Sequence, residues 1–343
     1  MTLSHANIKT EAERLGFARC GMAKAEPVDE AFAESYKAWL QAGCQADMHY
    51  LENYLDKRFD PRLLVPGAST IVSVALNYYP SQVASGIAWY AQGKDYHDLM
   101  RDRLNQLMEA IGAHGRPFVD TAPVPERYWA WRCGLGWIGK HTQLVVPKVG
   151  STFFLGELFI EEEVDEYDQP IENLCGRCRK CIDACPTGAI KDRREELREK
   201  REEFGGNREK RRIKREDLEG GEELRVKREE PNVNSDFSQT CAFNSHKCLS
   251  YLTIENRGEL PDWAFDAMDG MFYGCDRCLR ACPHLHGTPT HEPMLQPSSE
   301  LLNMTPSDWQ ALTVEQYRQL FKGSAVKRAK YEGLMRNLNR RKS

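Results

Sequence analysis

Twelve cysteines stand in this 343-residue chain, and the spacing of eight of them defines a chemistry. Cys175-Gly-Arg-Cys178-Arg-Lys-Cys181-Ile-Asp-Ala-Cys185-Pro186 sets cysteines at two two-residue gaps, then a three-residue gap followed by proline. This is the bacterial ferredoxin run, in which a tight loop aims three thiolates at one iron–sulfur cube. The helix that follows turns the fourth cysteine away, toward a second cube. Cys275-Asp-Arg-Cys278-Leu-Arg-Ala-Cys282-Pro283 echoes the run with one ligand fewer, and Cys248 is the nearest candidate to supply it. The spacing therefore predicts one 4Fe–4S cluster on Cys175, Cys178, Cys181 and Cys282 and another on Cys185, Cys248, Cys275 and Cys278. Zinc also uses CxxC pairs, but the repeated CxxxCP step suits a tetrahedral ion poorly. A chain of this length needs no disulfide staples to hold a core.

Composition sets the frame for that chemistry. Hydrophobic residues make up 41% of the chain and charged residues 29%, with a formal net charge of −4. Bulk charge therefore does not announce a nucleic-acid partner, and any basic surface must be local. No apolar run is long enough to span a membrane, and the first residues lack a signal core. Thiol-rich chains of this kind belong in a reducing cytoplasm, as metal-ligating proteins. Cys20, Cys44, Cys133 and Cys241 show no ligand spacing and read as ordinary thiols.

Hydrophobic periodicity supplies the elements that must position the cysteines. Helices are expected over 5–16, 28–41, 95–112, 125–133, 306–321 and 324–340. Strands are expected over 70–77, 116–120, 142–147 and 151–160. The alternation makes residues 1–170 an α/β domain, followed by a double-cluster domain at 171–290 and a helical, basic tail at 291–343. Gly134-Leu-Gly136-Trp-Ile-Gly139 matches a dinucleotide fingerprint, but it closes a helix and leads into a strand, the reverse of the required order. Its glycines read as a turn or a close backbone approach. Residues 191–240 are dense in both charge signs and nearly free of apolar residues, the composition of a flexible insertion.

Further stretches combine with the cysteines. Pro61-Arg-Leu-Leu-Val-Pro66-Gly67-Ala68, Gly93-Lys-Asp95-Tyr96-His97 and Val119-Asp120-Thr-Ala-Pro123 come first. Gly134-Leu-Gly136-Trp137-Ile-Gly139-Lys140 and Cys248-Leu-Ser250-Tyr251-Leu-Thr253-Ile-Glu255 follow. In this order, over roughly 1–190 and 241–340, the chain resembles the epoxyqueuosine reductases. The charged insertion stands where those proteins have a short connection, and the helical repeats that some relatives append are missing.

The resemblance implies an α+β protein whose first domain is nitroreductase-like and similar to cobalamin-processing enzymes. It implies two 4Fe–4S clusters feeding electrons to cobalamin, and reduction of epoxyqueuosine to queuosine at the wobble position of tRNA. Asp120 matches the proton donor, and the apolar neighbours Phe118, Val119 and Pro123 are expected to raise its pKa. A carboxylate capping the next helix is the plainer reading of the same residue. Arg58 matches a corrinoid contact; Tyr96 and Lys140 are further candidates, and Ser250, Cys275 and Asp276 stand where the cluster domain meets the corrinoid. The family does without the DxHxxG cobalt loop, which Asp95-Tyr-His97 begins but does not complete. Arg257, Lys327, Arg328 and Arg336 are the candidate tRNA contacts. An external low-potential electron donor, a monomeric state and no membrane partner complete the expectation. The competing readings are a ferredoxin-type electron carrier without catalysis and a corrinoid enzyme of the reductive dehalogenase kind.

Overall fold

The computed structural model describes residues 2–191 and 242–339. The flexibility expected of 191–240 and Cys241 therefore fall, but for Lys191, outside the described residues.

The first half is built on a four-stranded sheet. Its strands are β2 (Arg19–Lys24), β3 (Thr70–Asn77), β4 (Gly115–Phe118) and β7 (Phe153–Ile160), in the order β2-β3-β7-β4. Short pairs add β1 (Thr2–Leu3) with β8 (Glu163–Val164), and β5 (Trp137–Ile138) with β6 (Leu144–Val145). Every pairing within the four-stranded sheet is antiparallel. The alternation of helices and strands therefore does not produce parallel βαβ crossovers, and the protein is a mixed α and β fold. Strand β2 was not expected from sequence. Gly21 interrupts its apolar pattern, and a Cβ there would lie 1.9 Å from the Cys133 carbonyl, so close backbone packing replaces side-chain patterning.

Strand β3 is a continuous apolar run because both its faces are covered. Val72, Val74 and Leu76 enter one core, with Ile8 and Ala12 of α1 (His5–Arg14) and Met100, Leu104 and Leu107 of α5 (Tyr96–Ala110). Ile71 and Ala75 enter the other, with Tyr128, Trp129 and Ala130 of α6 (Glu126–Arg132). The period of two along the strand divides the residues between the cores. Gly156 on β7 lets α5 approach, since a Cβ would lie 2.8 Å from Met100 and 3.0 Å from Leu104. Leu104 is fully buried, and Leu104→Ala is expected to cost about 2–5 kcal/mol.

The second half folds around the cysteine loops and back onto the first. A third core joins Ala84, Ile87 and Ala91 to Phe272, Tyr273, Trp309, Phe321 and Leu334. Residues 306–321, expected as one helix, form two, Pro306–Gln310 and Val314–Leu320. Capping boxes at Thr305/Asp308 and Thr313/Gln316 start each anew, because reciprocal side-chain caps satisfy the free amides of a fresh turn. Likewise the final segment is a 3-10 turn over Ala325–Ala329 and then a helix over Lys330–Leu338. No described helix is long and apolar enough to cross a membrane.

The charged segment leaves and returns through a closed neck. Lys191 N donates to Ala242 O at 2.8 Å, Asn244 N to Ala189 O at 2.9 Å, and Ile190 bridges Phe243. The chain ends on either side of the insertion are thus already joined beside the cluster loops.

Candidate functional site

The two cysteine runs fold alike. Each is a loop entering a single helical turn, α7 (Lys180–Asp183) in the first run and Arg277–Arg280 in the second. Cys181, Ile182, Ile190, Cys185, Phe243 and Cys278 pack together between them. Cys181 lies within electrostatic reach of Cys175, Cys282 and Cys178. Cys278 lies within reach of Cys275, Cys248 and Cys185, with Cys181 beyond. Cys282 of the second run thus neighbours thiols of the first, and Cys185 of the first neighbours thiols of the second.

These thiols are suited to a cluster. Burial pushes Cys181 and Cys248 up to about 11, and neighbouring thiols add to the shift. Burial raises Cys275, Cys278 and Cys282 as well. A buried set of mutually repelling thiolates is stable only with cations among them. Among the described residues, no three His, Cys, Asp or Glu side chains converge tightly enough to hold one metal ion. Polar groups also reach the sulfurs. Trp137 Nε1 donates to Cys175 Sγ at 3.4 Å and Ala189 N to Cys185 Sγ at 3.3 Å. Burial alone would raise Cys185, yet the Thr187, Ala189 and Ile190 amides and the Thr187 hydroxyl draw it down. Cys248 is the N-cap of the helix Leu249–Ile254, and the nearby amides of Tyr251 and Ser250 oppose the rise that its burial causes, as a helix N-terminus does for a thiolate.

The sheet half meets the cluster half at several of the residues singled out above. Lys140 Nζ donates to Cys178 O at 2.9 Å, so this lysine braces the first cluster loop. Asp276, 5% exposed, accepts from Trp89 N at 2.7 Å. It ties the second run to the loop at 84–91, and burial pushes its carboxyl up to about 6. Tyr78, at the end of β3, lies close enough to feel both Asp276 and Cys278. Ser250 is half-buried two residues beyond Cys248. The glycines of the 134–139 motif are used for backbone contact. A Cβ on Gly136 would lie 2.2 Å from Val145 O, and Gly134 takes φ +71, leaving no cradle for a dinucleotide.

Asp120 lies just past β4, at φ +53. Its backbone amide donates to Glu126 Oε1, and α6 is capped by Pro125, so the capping role for Asp120 does not hold. Its carboxyl faces outward, 60% exposed, with Oδ2 3.4 Å from His97 Nε2. His97 Nδ1 lies 2.6 Å from Asp95 Oδ1. The Tyr96 ring stacks on Phe154, centroids 3.9 Å apart, and on His97 at 4.2 Å. Tyr96 also lies near enough to Asp120 to favour its ionised form. The expectation of a raised pKa at Asp120 is overturned. The His97 hydrogen bond, foremost, holds the carboxyl below the usual carboxylate range, against burial and with help from the His97 charge, Tyr96 and Arg127. Phe118 and Val119 turn into the two cores and do not surround it. Glu126, half-buried beside Asp120, is the carboxyl pushed up, to about 8, by desolvation and then by the Asp120 charge. Sequence reading missed both His97 and Glu126. His97 stands in the quoted Gly93–His97 stretch; Glu126 had no local signal.

Arg58 is buried, its guanidinium 5.3 Å from the Tyr36 ring centroid, with Nε lacking a partner. Of the basic residues chosen for tRNA, Arg336 is consumed by the fold. It donates to the carbonyls of Asn256, Gly258 and Leu252, so its guanidinium is a structural clamp. Arg257 likewise donates to the Ile254 and Arg328 carbonyls. Arg328 forms a two-pronged pair with Glu255 at 2.8 Å and lies 5.9 Å from the ring centroid of half-exposed Tyr50. Lys327 stays exposed.

Comparison with known proteins places this arrangement. The epoxyqueuosine reductase QueG family model (DUF1730) matches residues 58–121, and a 4Fe-4S double cluster binding domain matches 174–227. The epoxyqueuosine reductase of Cellulophaga algicola is 38% identical, covering 97% of this chain and 96% of its own. That of Cyclobacterium marinum is 37% identical over 97% and 94%. A crystal structure of epoxyqueuosine reductase with a tRNA-Tyr epoxyqueuosine-modified stem loop superimposes with a TM-score of 0.74 and 26% identity. It covers 97% of this chain and 79% of that one. The Bacillus subtilis enzyme, solved with an aspartate-bearing catalytic loop swung out of its active site, gives 0.73 and 26%, with the same coverage. With near-complete coverage by relatives of one activity, and both cysteine runs in place, the chain belongs to the epoxyqueuosine reductase family.

Proposed function

We propose that this protein reduces epoxyqueuosine to queuosine in the anticodon of tRNA, using two 4Fe–4S clusters and cobalamin. The observation that carries this reading is relationship to epoxyqueuosine reductases over the whole chain, and the thiols that neighbour one another across the two cysteine runs support it. The reaction removes the epoxide oxygen as water and leaves an alkene, consuming two electrons and two protons. An external low-potential donor supplies the electrons, and the clusters pass them one at a time.

Cobalamin, when bound, supplies a reducing metal centre for chemistry that side chains do not perform. The unpartnered Nε of buried Arg58 suits a hydrogen-bond acceptor such as a corrin side-chain amide. Tyr96, Ser250, Cys275 and Asp276 would contact the corrinoid in this reading. Residues 1–170 form the nitroreductase-like, corrinoid-binding unit in this reading, residues 171–290 the double-cluster unit and residues 291–343 the helical tail.

For tRNA, Tyr50 is the favoured contact. Its half-exposed ring has Arg328 against it and lies within electrostatic reach of Asp120, and exposed aromatics with cationic neighbours stack on unpaired bases. Lys327 adds a phosphate contact. The protein works as a monomer in the cytoplasm, where its tRNA is.

Anaerobically reconstituted protein, given cobalamin, a low-potential reductant and epoxyqueuosine-containing tRNA, is expected to yield queuosine by mass spectrometry of the nucleosides. Iron-replete, corrinoid-replete protein that leaves the epoxide intact would sink the reading. Electron transfer without any need for corrinoid or tRNA would favour the carrier.

A further inference from the structure

The reaction needs a proton at the departing oxygen, yet the outermost carboxyl is held in its ionised form. Behind it lies an imidazole with a carboxylate at each nitrogen. Asp95 Oδ1 is 2.6 Å from His97 Nδ1, and Asp120 Oδ2 is 3.4 Å from Nε2. Carboxylates only accept hydrogen bonds, so the two contacts are satisfied together when both ring nitrogens carry hydrogen. The ring is also fixed in direction. Asp95 caps the start of α5 and takes the His97 amide on the same oxygen, at 3.1 Å. Phe154, Tyr96 and His97 form a three-ring stack, and Glu126 holds the Asp120 backbone.

We propose that His97 is the proton reservoir of the site, passing its Nε2 proton to Asp120, while Asp95 keeps the imidazole charged and oriented. The inference rests on the function assigned above and names the group that reloads the acid. In the transfer, the Nε2–H bond breaks as an O–H bond forms at Asp120 Oδ2. That O–H bond breaks in turn as the oxygen released from the epoxide carbon takes the proton. No electrons move in these two transfers; the external donor supplies both that the epoxide consumes. Solvent returns a proton to the 24% exposed imidazole, and a second cycle supplies the other proton of the water formed. His97 touches neither substrate nor cofactor in this scheme and is a positioning residue acting through Asp120.

The charges facing the ring agree. Its pKa is raised to about 9, first by the Asp120 hydrogen bond and next by Asp95, against burial. Glu126, which the His97 charge reaches, is pushed up to about 8 by desolvation and then by the Asp120 charge. Arg127 lies on the Asp120 side and Arg101 on the Asp95 side.

The test uses the full-length protein. The titration of His97, followed by NMR of the labelled ring, is expected above pH 8, and Asp95→Asn should lower it by about one to two units. His97→Gln in the reconstituted enzyme should lower kcat by about 100-fold or more. KM for tRNA should stay within about threefold, and iron and corrinoid should remain fully bound, as expected when transition-state proton transfer alone is lost. The alkaline limb of the kcat profile near pH 9 should disappear. In His97→Ala, added imidazole should restore part of the rate. Titration near 6.5 in the wild type, or wild-type kcat and pH profile in His97→Gln, would overturn the reservoir. Because the titration needs no substrate, an inactive wild type would count against the assigned reaction while the titration still decides this inference.

Discussion

The two chemical regions of this protein are assembled in opposite ways. Seven of the eight cluster cysteines lie in two short runs, 175–185 and 275–282, and each run is one loop and one helical turn. The Asp120 site draws on the start of α5, the turn after β4 and the half-buried start of α6, brought together by packing on opposite faces of one sheet. In the cluster half the ligands are burdened by burial and mutual repulsion, which bound iron offsets. In the sheet half the charges offset one another, with acid groups on both sides of one imidazole. A local motif thus fixes which atoms bind a metal, while a tertiary constellation fixes where a proton resides.

This contrast is sharpest where one residue serves one region alone. Cys278→Ser should remove about half of the bound iron and one of two paramagnetic cluster signals, with turnover falling below detection. Retention of both signals would break the crosswise ligand sets. Asp120→Asn should leave iron content untouched and reduce turnover by about 10²–10⁴-fold; wild-type turnover would remove Asp120 from the chemistry. The same variant provides a pH test. His97 ionises more readily in the folded state, so its contribution to stability is complete below pH 6.5 and is lost as pH rises through about 9. Chemical denaturation of the wild type should show that decline, and Asp120→Asn should flatten it.

At the junction of the regions, Asp276→Ala leaves the buried Trp89 amide unpaired and should cost about 1–3 kcal/mol in a urea titration. An unchanged midpoint would mean that the halves are held by their apolar core alone. Trp137→Phe removes the N–H donor to Cys175 Sγ and should shift one cluster to lower potential by redox titration, with the other unmoved. The smallest change is expected from replacing 192–241 by a short Gly/Ser link. Lys191 and Ala242 are already hydrogen-bonded, and loop closure changes by only about 0.6 kcal/mol per doubling of length. Iron content and turnover should stay within about twofold; loss of a cluster would give the segment a role in assembly.

The sequence by itself determined the two cysteine runs, the buried strand β3, the helix α5 and the family. These follow from spacing along one loop, one strand or one helix, where neighbours in sequence are neighbours in space. It also brought Asp120 forward, through the resemblance, but with its acidity reversed. Phe118 and Val119 are adjacent in the chain and point into the cores, while His97, some twenty residues earlier, is the group that meets the carboxyl. Arg336 was read as a phosphate contact because its charge is visible in sequence, whereas the three carbonyls it satisfies are not. Only the tertiary structure decided these points. Electrostatic energy depends on distance and burial, and both are set here by which faces of the sheet the helices cover.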